Sequence, residues 1–341
     1  MAAAAAAAAP PPSAAALPPR LPAPLTAAAA EARFTHGKVL GSGTFGVTSR
    51  ARDNATTPAS LVAVKRVHVA GRDPALLREL GVVAGLPPHP RVSRFVAWWE
   101  DEDGHVCVAT ELGASGNSAR YAASEAAAGR WSPARVAHVA LDVATALTHL
   151  HECGVYHGGL KPENVVVDGG GRGVLADCGW ALQSDGGGRP TLRLSPSSFP
   201  AYLPSEVVAV YRRGAGTGVW DVVEWCGAAD VWSAGALFHA LLVVTAGVTP
   251  SASLTMTLSP FWRPGASAAS LLDAVERGDA DWSRVPAGTP PRLRALLSAM
   301  VSLSASSRPS AGAVAASLGA LVHGAIEPPL SSGVGVGAGV A

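Results

Sequence analysis

Residues 157–166 read HGGLKPENVV. A histidine, a Lys-Pro pair and an asparagine leading into a run of valines have the look of a catalytic loop entering a strand. The slot at which a carboxylate would make chemical sense holds Gly159. Two other stretches carry the same kind of chemistry. GSGTFG (41–46) spaces its glycines so that backbone N–H groups can approach phosphate oxygens with no Cβ in the way. VAVK places Lys65 in an apolar stretch, where an ammonium must find partners or lose its charge. Nucleotide phosphates and the carboxylate of Glu79, in the next helical segment, are natural partners; a snorkelling Lys65 beside a surface Glu79 is the plainer alternative.

Composition sharpens the question. The chain has three lysines (Lys38, Lys65, Lys161) and three asparagines (Asn54, Asn117, Asn164), against a strong bias to Ala, Gly, Val and Arg. A Lys or Asn that persists against that bias invites a specific chemical explanation.

The elements that must position these residues follow from periodicity. FTHGKVLGSGTFGVTSRAR reads as a hairpin around the glycine turn, and residues 61–69 alternate as a strand. Because the turn joins two strands rather than opening a helix, it disfavours the dinucleotide fingerprint. Residues 74–86 have helical spacing after a proline, and RVSRFVAWWED and HVCVATEL read as two further strands. Beyond Leu112 the texture becomes helical, with a Ser-Pro start and a Gly stop bounding a helix over 132–154. The expected fold is α+β and bilobal, with a small β-rich N-lobe (34–111) and a larger α-helical C-lobe (112–323). An Ala/Pro-rich tail (1–33) and a Gly-rich tail (324–341) are expected to be disordered.

Glycine loop, VAVK, helix glutamate, HGGLKPEN, ADCG and DVWSAG stand in an order that resembles the eukaryotic protein kinase domain, Ser/Thr type. The resemblance covers roughly residues 34 to 321. It implies a site for ATP and Mg²⁺ between the lobes. Gly41, Ser42, Gly43, Thr44 and Gly46 would cover the phosphates, and Ala63, Thr110, Glu111 and Leu112 would meet the adenine. Lys65 would hold phosphates and pair with Glu79, Lys161 would stand near the γ-phosphate, and Asn164 and Asp177 would bind the metal. It further implies that Arg308 is the buried partner of Glu206 and that Asp230 anchors the catalytic-loop backbone.

The chain also departs from that pattern. His-Arg-Asp reads His157-Gly158-Gly159, which removes both the catalytic base and the arginine that receives an activation-segment phosphate. A positioned base contributes about 10²–10⁴-fold, so its loss predicts slow transfer at best. Glu163 and Asp168 offer no convincing replacement. Cys178 stands where a phenylalanine is usual, Thr48 where a valine is usual, and about a dozen extra residues lie between Glu206 and Asp230. The expectation is a pseudokinase that binds ATP·Mg²⁺ and acts as a signalling regulator or scaffold; an active Ser/Thr protein kinase is the alternative.

The bulk numbers narrow the partners. A formal charge of +1 gives no reason to expect nucleic acid or an anionic membrane. Four spread cysteines without a CxxC suit a reducing compartment. The longest apolar run, 234–248, is too short to span a bilayer. The N-terminus lacks a secretory pattern, so a cytoplasmic location is expected, with the nucleus and an organelle transit peptide left open. The expected partners are ATP and a protein substrate or partner kinase, with the chain itself a monomer.

Overall fold

The computed structural model describes residues 21–43, 46–70, 73–177, 182–183, 190–194, 200–247 and 255–324. A short helix, α1 (Ala27–Arg33), leads into strands β1 (Phe34–Gly43), β2 (Gly46–Asp53) and β3 (Ser60–Ala70). Helix α2 (Pro74–Ala84) follows, then β4 (Phe95–Glu100) and β5 (His105–Glu111). The five strands form one antiparallel sheet in the order β1-β2-β3-β5-β4.

Alternation decides what each face of this sheet does. Val62 and Val64 point into a cluster with Phe34, Ala51, Trp99 and Ala109, while Ala63 and Lys65 face the other way. Trp98, on the face opposite Trp99, packs with Val106, Val108 and Leu80 of α2. That packing sets the position of the helix carrying Glu79.

Residues 21–33, expected to belong to a disordered tail, are structured and tied to the sheet. The Trp98 indole donates to the Pro22 carbonyl at 2.7 Å, and the Leu25 N–H donates to the Trp98 carbonyl at 2.9 Å. Leu21 joins the Trp98 cluster and Leu25 the Trp99 cluster. Thr26 then caps α1, and Arg33 grips Asp53 through two hydrogen bonds of 2.9 and 2.7 Å. The cause is β4: it is a sheet edge, and its unpaired backbone and two indoles give the segment something to bind. Residues 1–20 lie outside the described part.

The C-lobe is built on helices. They are α3 (Ser118–Ala127), α4 (Pro133–Glu152), α5 (Ser205–Thr217), α6 (Gly227–Thr245), α7 (Ala268–Arg277), α8 (Pro291–Met300) and α9 (Ala311–Gly324). Short strands intervene: β6 (Val155–Tyr156), β7 (Val165–Val167), β8 (Gly173–Leu175), β9 (Leu182–Gln183), β10 (Thr191–Arg193) and β11 (Val222–Glu224). As the sequence predicts, Ser132 caps α4 and Pro133 opens it. Helix α6 is apolar all round and, at 19 residues, long enough to cross a membrane by length and composition. The shorter run counted from the sequence understated it. Its side chains are nevertheless almost all buried inside the lobe, where Trp232 stacks on Phe261 with ring centroids 5.3 Å apart.

Candidate active site between the lobes

Three distant stretches meet at one point. Lys65 Nζ, on β3, lies 2.7 Å from Asp177 Oδ1, a contact spanning 112 residues of sequence. Asp177 follows β8, and its backbone is left-handed (φ 53°), a conformation that costs a non-glycine residue on the order of 1 kcal/mol. Burial works against its charge, yet Lys65 in contact, with His157 and Lys161 nearby, holds the carboxyl below its usual range. Burial also lowers the Lys161 pKa, opposed by Glu163 and Asp177 and helped by Lys65.

The loop at 157–164 is fixed mostly through its backbone. Asp230, fully buried near the start of α6, accepts from the His157 N–H at 2.9 Å and the Gly158 N–H at 3.0 Å. It also bonds His151 Nε2 at 2.9 Å and the Trp225 indole N–H at 2.9 Å. Gly158 is left-handed (φ 72°), so a residue with a Cβ would be strained there. Gly159 donates its N–H to His157 Nδ1 at 3.2 Å, and its carbonyl accepts from Asn164 Nδ2 at 2.7 Å. With its nitrogen turned inward, Asn164 keeps Oδ1 as the atom suited to a hard cation. The Ala176 N–H donates to the Asn164 carbonyl at 2.8 Å, which ties the loop to the residue before Asp177.

Glu79 does not pair with Lys65 as expected. Lys65 is on Asp177 instead, and the half-buried Glu79 carboxyl has its pKa raised to about 7. Burial is the main cause and the Asp73 charge adds to it; Lys65 and Arg78 only partly offset them. The folded state therefore binds more protons than the unfolded one between about pH 4.5 and 7. Stability from this group is fully present below that window and declines as pH rises through about 7. Glu79→Gln is expected to flatten that decline and to raise stability at pH 8 by roughly 1–3 kcal/mol, as measured by urea melts across pH.

Of the residues the resemblance assigns to adenine, Ala63 pairs with Thr110 across β3 and β5, and Glu111 follows at the end of β5. The backbone at Glu111 and Leu112 is already engaged within the chain. The Glu111 N–H donates to the Arg94 carbonyl at 3.0 Å and its carbonyl accepts from Ser93 Oγ at 2.9 Å. The Leu112 N–H is only loosely engaged, 3.4 Å from the Leu61 carbonyl. In the glycine turn, Gly41, Ser42 and Gly43 pair with β2, and a Cβ at Gly41 or Gly43 would meet open space. Gly46 differs: a Cβ there would collide with the Arg66 carbonyl, so this glycine is required by the β2–β3 contact itself. Thr44 and Cys178 lie outside the described residues.

The rare residues divide. Asn54 donates to Thr35 Oγ1 at 2.9 Å, Asn117 caps α3, and Lys38 is exposed. Lys65, Lys161 and Asn164 are the ones at the cleft. Glu206 and Arg308 pair through two hydrogen bonds of 2.8 and 2.7 Å, with Arg308 over the Trp232 ring. Sequence reading missed His151 and Trp225. Each lies within a turn or two of a recognised residue, but nothing in its own type or spacing points to Asp230.

The sheet lobe, the helical lobe and this junction match a description at the level of sequence families: the protein kinase domain aligns over residues 34–317. The chain belongs to the protein kinase family. The kinase domain is 31% identical over 219 residues to "Serine/threonine-protein kinase PEPKR2" of Arabidopsis thaliana, covering 64% of this chain and 40% of that protein. It is 30% identical over 261 residues to "Calcium-dependent protein kinase 9" of Oryza sativa subsp. japonica, covering 74% of this chain and 39% of that protein. An Aurora kinase of Encephalitozoon cuniculi is 25% identical over 191 residues, covering 55% of this chain and 67% of that protein. The first two relatives are thus matched over about two fifths of their length.

Proposed function

We propose that this kinase domain binds ATP with Mg²⁺ in the cleft and transfers phosphate weakly or not at all, working as a regulator or scaffold for a partner kinase or another signalling protein. The observation that carries the nucleotide reading is the Lys65–Asp177 contact, which brings a cation from one lobe and a carboxylate from the other to one point. The donor set fits the group. Asp177 and Asn164 Oδ1 are hard oxygen donors of the kind Mg²⁺ takes, and Lys65 and Lys161 supply positive charge for phosphates. Bound Mg²⁺ would neutralise charge developing on the transferred phosphoryl group. On this reading Lys65 exchanges Asp177 for phosphate oxygens, which frees the carboxylate for the metal. On this reading the catalytic deficit lies at Gly159, which has no side chain to accept a substrate proton.

A second reading, an active Ser/Thr kinase, is favoured by one specific observation. Asp177 keeps a left-handed backbone, the Lys161 charge acts on it, and Asn164 stays buried in the adjoining loop. Loss of catalysis would relax the need for such an arrangement.

Thermal unfolding with and without Mg·ATP tests the binding step. At nucleotide a hundredfold above Kd the gain is about 2.7 kcal/mol, and Lys65→Ala is expected to remove most of it. No shift for the wild type at millimolar nucleotide would sink both readings.

A further inference from the structure

The extra residues ahead of Asp230 form a structure of their own. Helix α5 runs on through Thr217 and stops at Gly218, whose backbone is left-handed (φ 75°) and whose N–H donates to the Gly214 carbonyl at 2.8 Å. The chain then folds back on the helix: Trp220 lies 5.4 Å from Tyr211, ring to ring, and a Cβ on Gly214 would meet the Trp220 ring at 2.7 Å. From there the chain enters β11, which pairs antiparallel with β10 in the register Thr191↔Glu224, Leu192↔Val223, Arg193↔Val222. The ladder is extended at both ends by Leu194 N–H to the Asp221 carbonyl (3.1 Å) and Trp225 N–H to the Pro190 carbonyl (2.9 Å). Leu192, Leu194, Val223 and Trp225 are buried beneath it.

β10 belongs to the stretch between Asp177 and Glu206, and among the described side chains three arginines near this ladder already have carboxylate partners. Arg212 holds Asp273 and Glu276, Arg213 faces Asp221, and Arg308 holds Glu206. Position 158, beside this stretch in the family pattern, is a glycine. The segment is therefore gripped by strand pairing and apolar burial. Trp225 carries the grip inward, because its indole N–H reaches the same carboxylate that anchors the His157 and Gly158 amides.

We propose that residues 212–225 are a built-in clamp that holds the β10 segment and the 157–159 loop in fixed relation without phosphorylation. β11 fixes the segment by backbone pairing, and Trp225 is the positioning residue that transmits the constraint to the loop through Asp230. The clamp needs no nucleotide, so it stands or falls separately from the binding reading above.

Amide hydrogen exchange on the full chain, dephosphorylated and without nucleotide, tests it. In the wild type the Leu194 amide and the 157–159 amides are expected to be protected. Val223→Pro, which cannot sustain the ladder, is expected to speed exchange at 190–194 by about tenfold or more while α6 amides keep their protection. Trp225→Phe keeps the ring but not the N–H; it is expected to leave 190–194 protected and to speed the His157 and Gly158 amides by about tenfold. Should Val223→Pro unfold the chain, Trp225→Phe alone decides the outcome. Unprotected 190–194 amides in the dephosphorylated wild type, or protection gained only on phosphorylation, would overturn the clamp. Exchange at 157–159 unchanged in Trp225→Phe would overturn the role given to Trp225.

Discussion

Gly159→Asp is expected to raise γ-phosphate transfer by about 10²–10⁴-fold over the wild type, the range a positioned base contributes. The backbone at this position is already fixed, since its N–H is on His157 Nδ1 and its carbonyl on Asn164 Nδ2. Unlike Gly158, Gly159 is not in the left-handed region, so the substitution meets no backbone penalty of that kind. A carboxylate introduced here would project from a loop whose neighbours, Lys161 and Asn164, already stand at the cleft. The gain is measured as labelled phosphate incorporated into a mixed Ser/Thr substrate, with Lys65→Ala in the same background as the blank. Equal activity in wild type and Gly159→Asp, both abolished by Lys65→Ala, would reverse the ranking and make the chain an active kinase. Inactivity of both, with the Mg·ATP thermal shift intact, would move the defect from position 159 to another part of the cleft.

Asp230→Asn is expected to destabilise the fold by roughly 3–5 kcal/mol, a fall of roughly 10 °C in Tm. The change is nearly isosteric, so size does not cause the loss. An ionised carboxylate only accepts, and here it meets donors from His151, His157, Gly158 and Trp225. An amide would turn two N–H groups toward donors and leave at least one of them buried and unpaired. Burial also opposes the Asp230 charge, but the hydrogen bond and charge of His151, together with His157, outweigh it and hold the carboxyl low. A change in Tm below a few degrees would show that the loop is anchored elsewhere.

The cleft residues are legible in the chain alone. Lys65, Lys161, Asn164 and Asp177 can be named because a compositional bias against Lys and Asn makes two lysines and an asparagine stand out, and because their order carries a family signature. The sheet lobe is legible too, since period-two alternation in residues 61–69 is a local property. The structure of residues 21–33 is not. They are Ala- and Pro-rich, and what holds them are contacts with Trp98, Trp99 and Asp53, far along the chain.

Pairing is the other gap. The residue types name the ions but not which touches which: Lys65 has Glu79 in the next helix as its natural partner, and the fold gives it Asp177. That choice depends on the distance between two lobes, which no local pattern encodes. The same holds for Asp230, whose donors come from α4, the loop at 157 and the residue after β11. The fold family, the two lobes and the residue types at the cleft are set by periodicity and motif order, which are written along the chain. The Lys65–Asp177 contact, the tethered residues 21–33 and the β10–β11 ladder are settled only in three dimensions, because each depends on where distant segments come to rest.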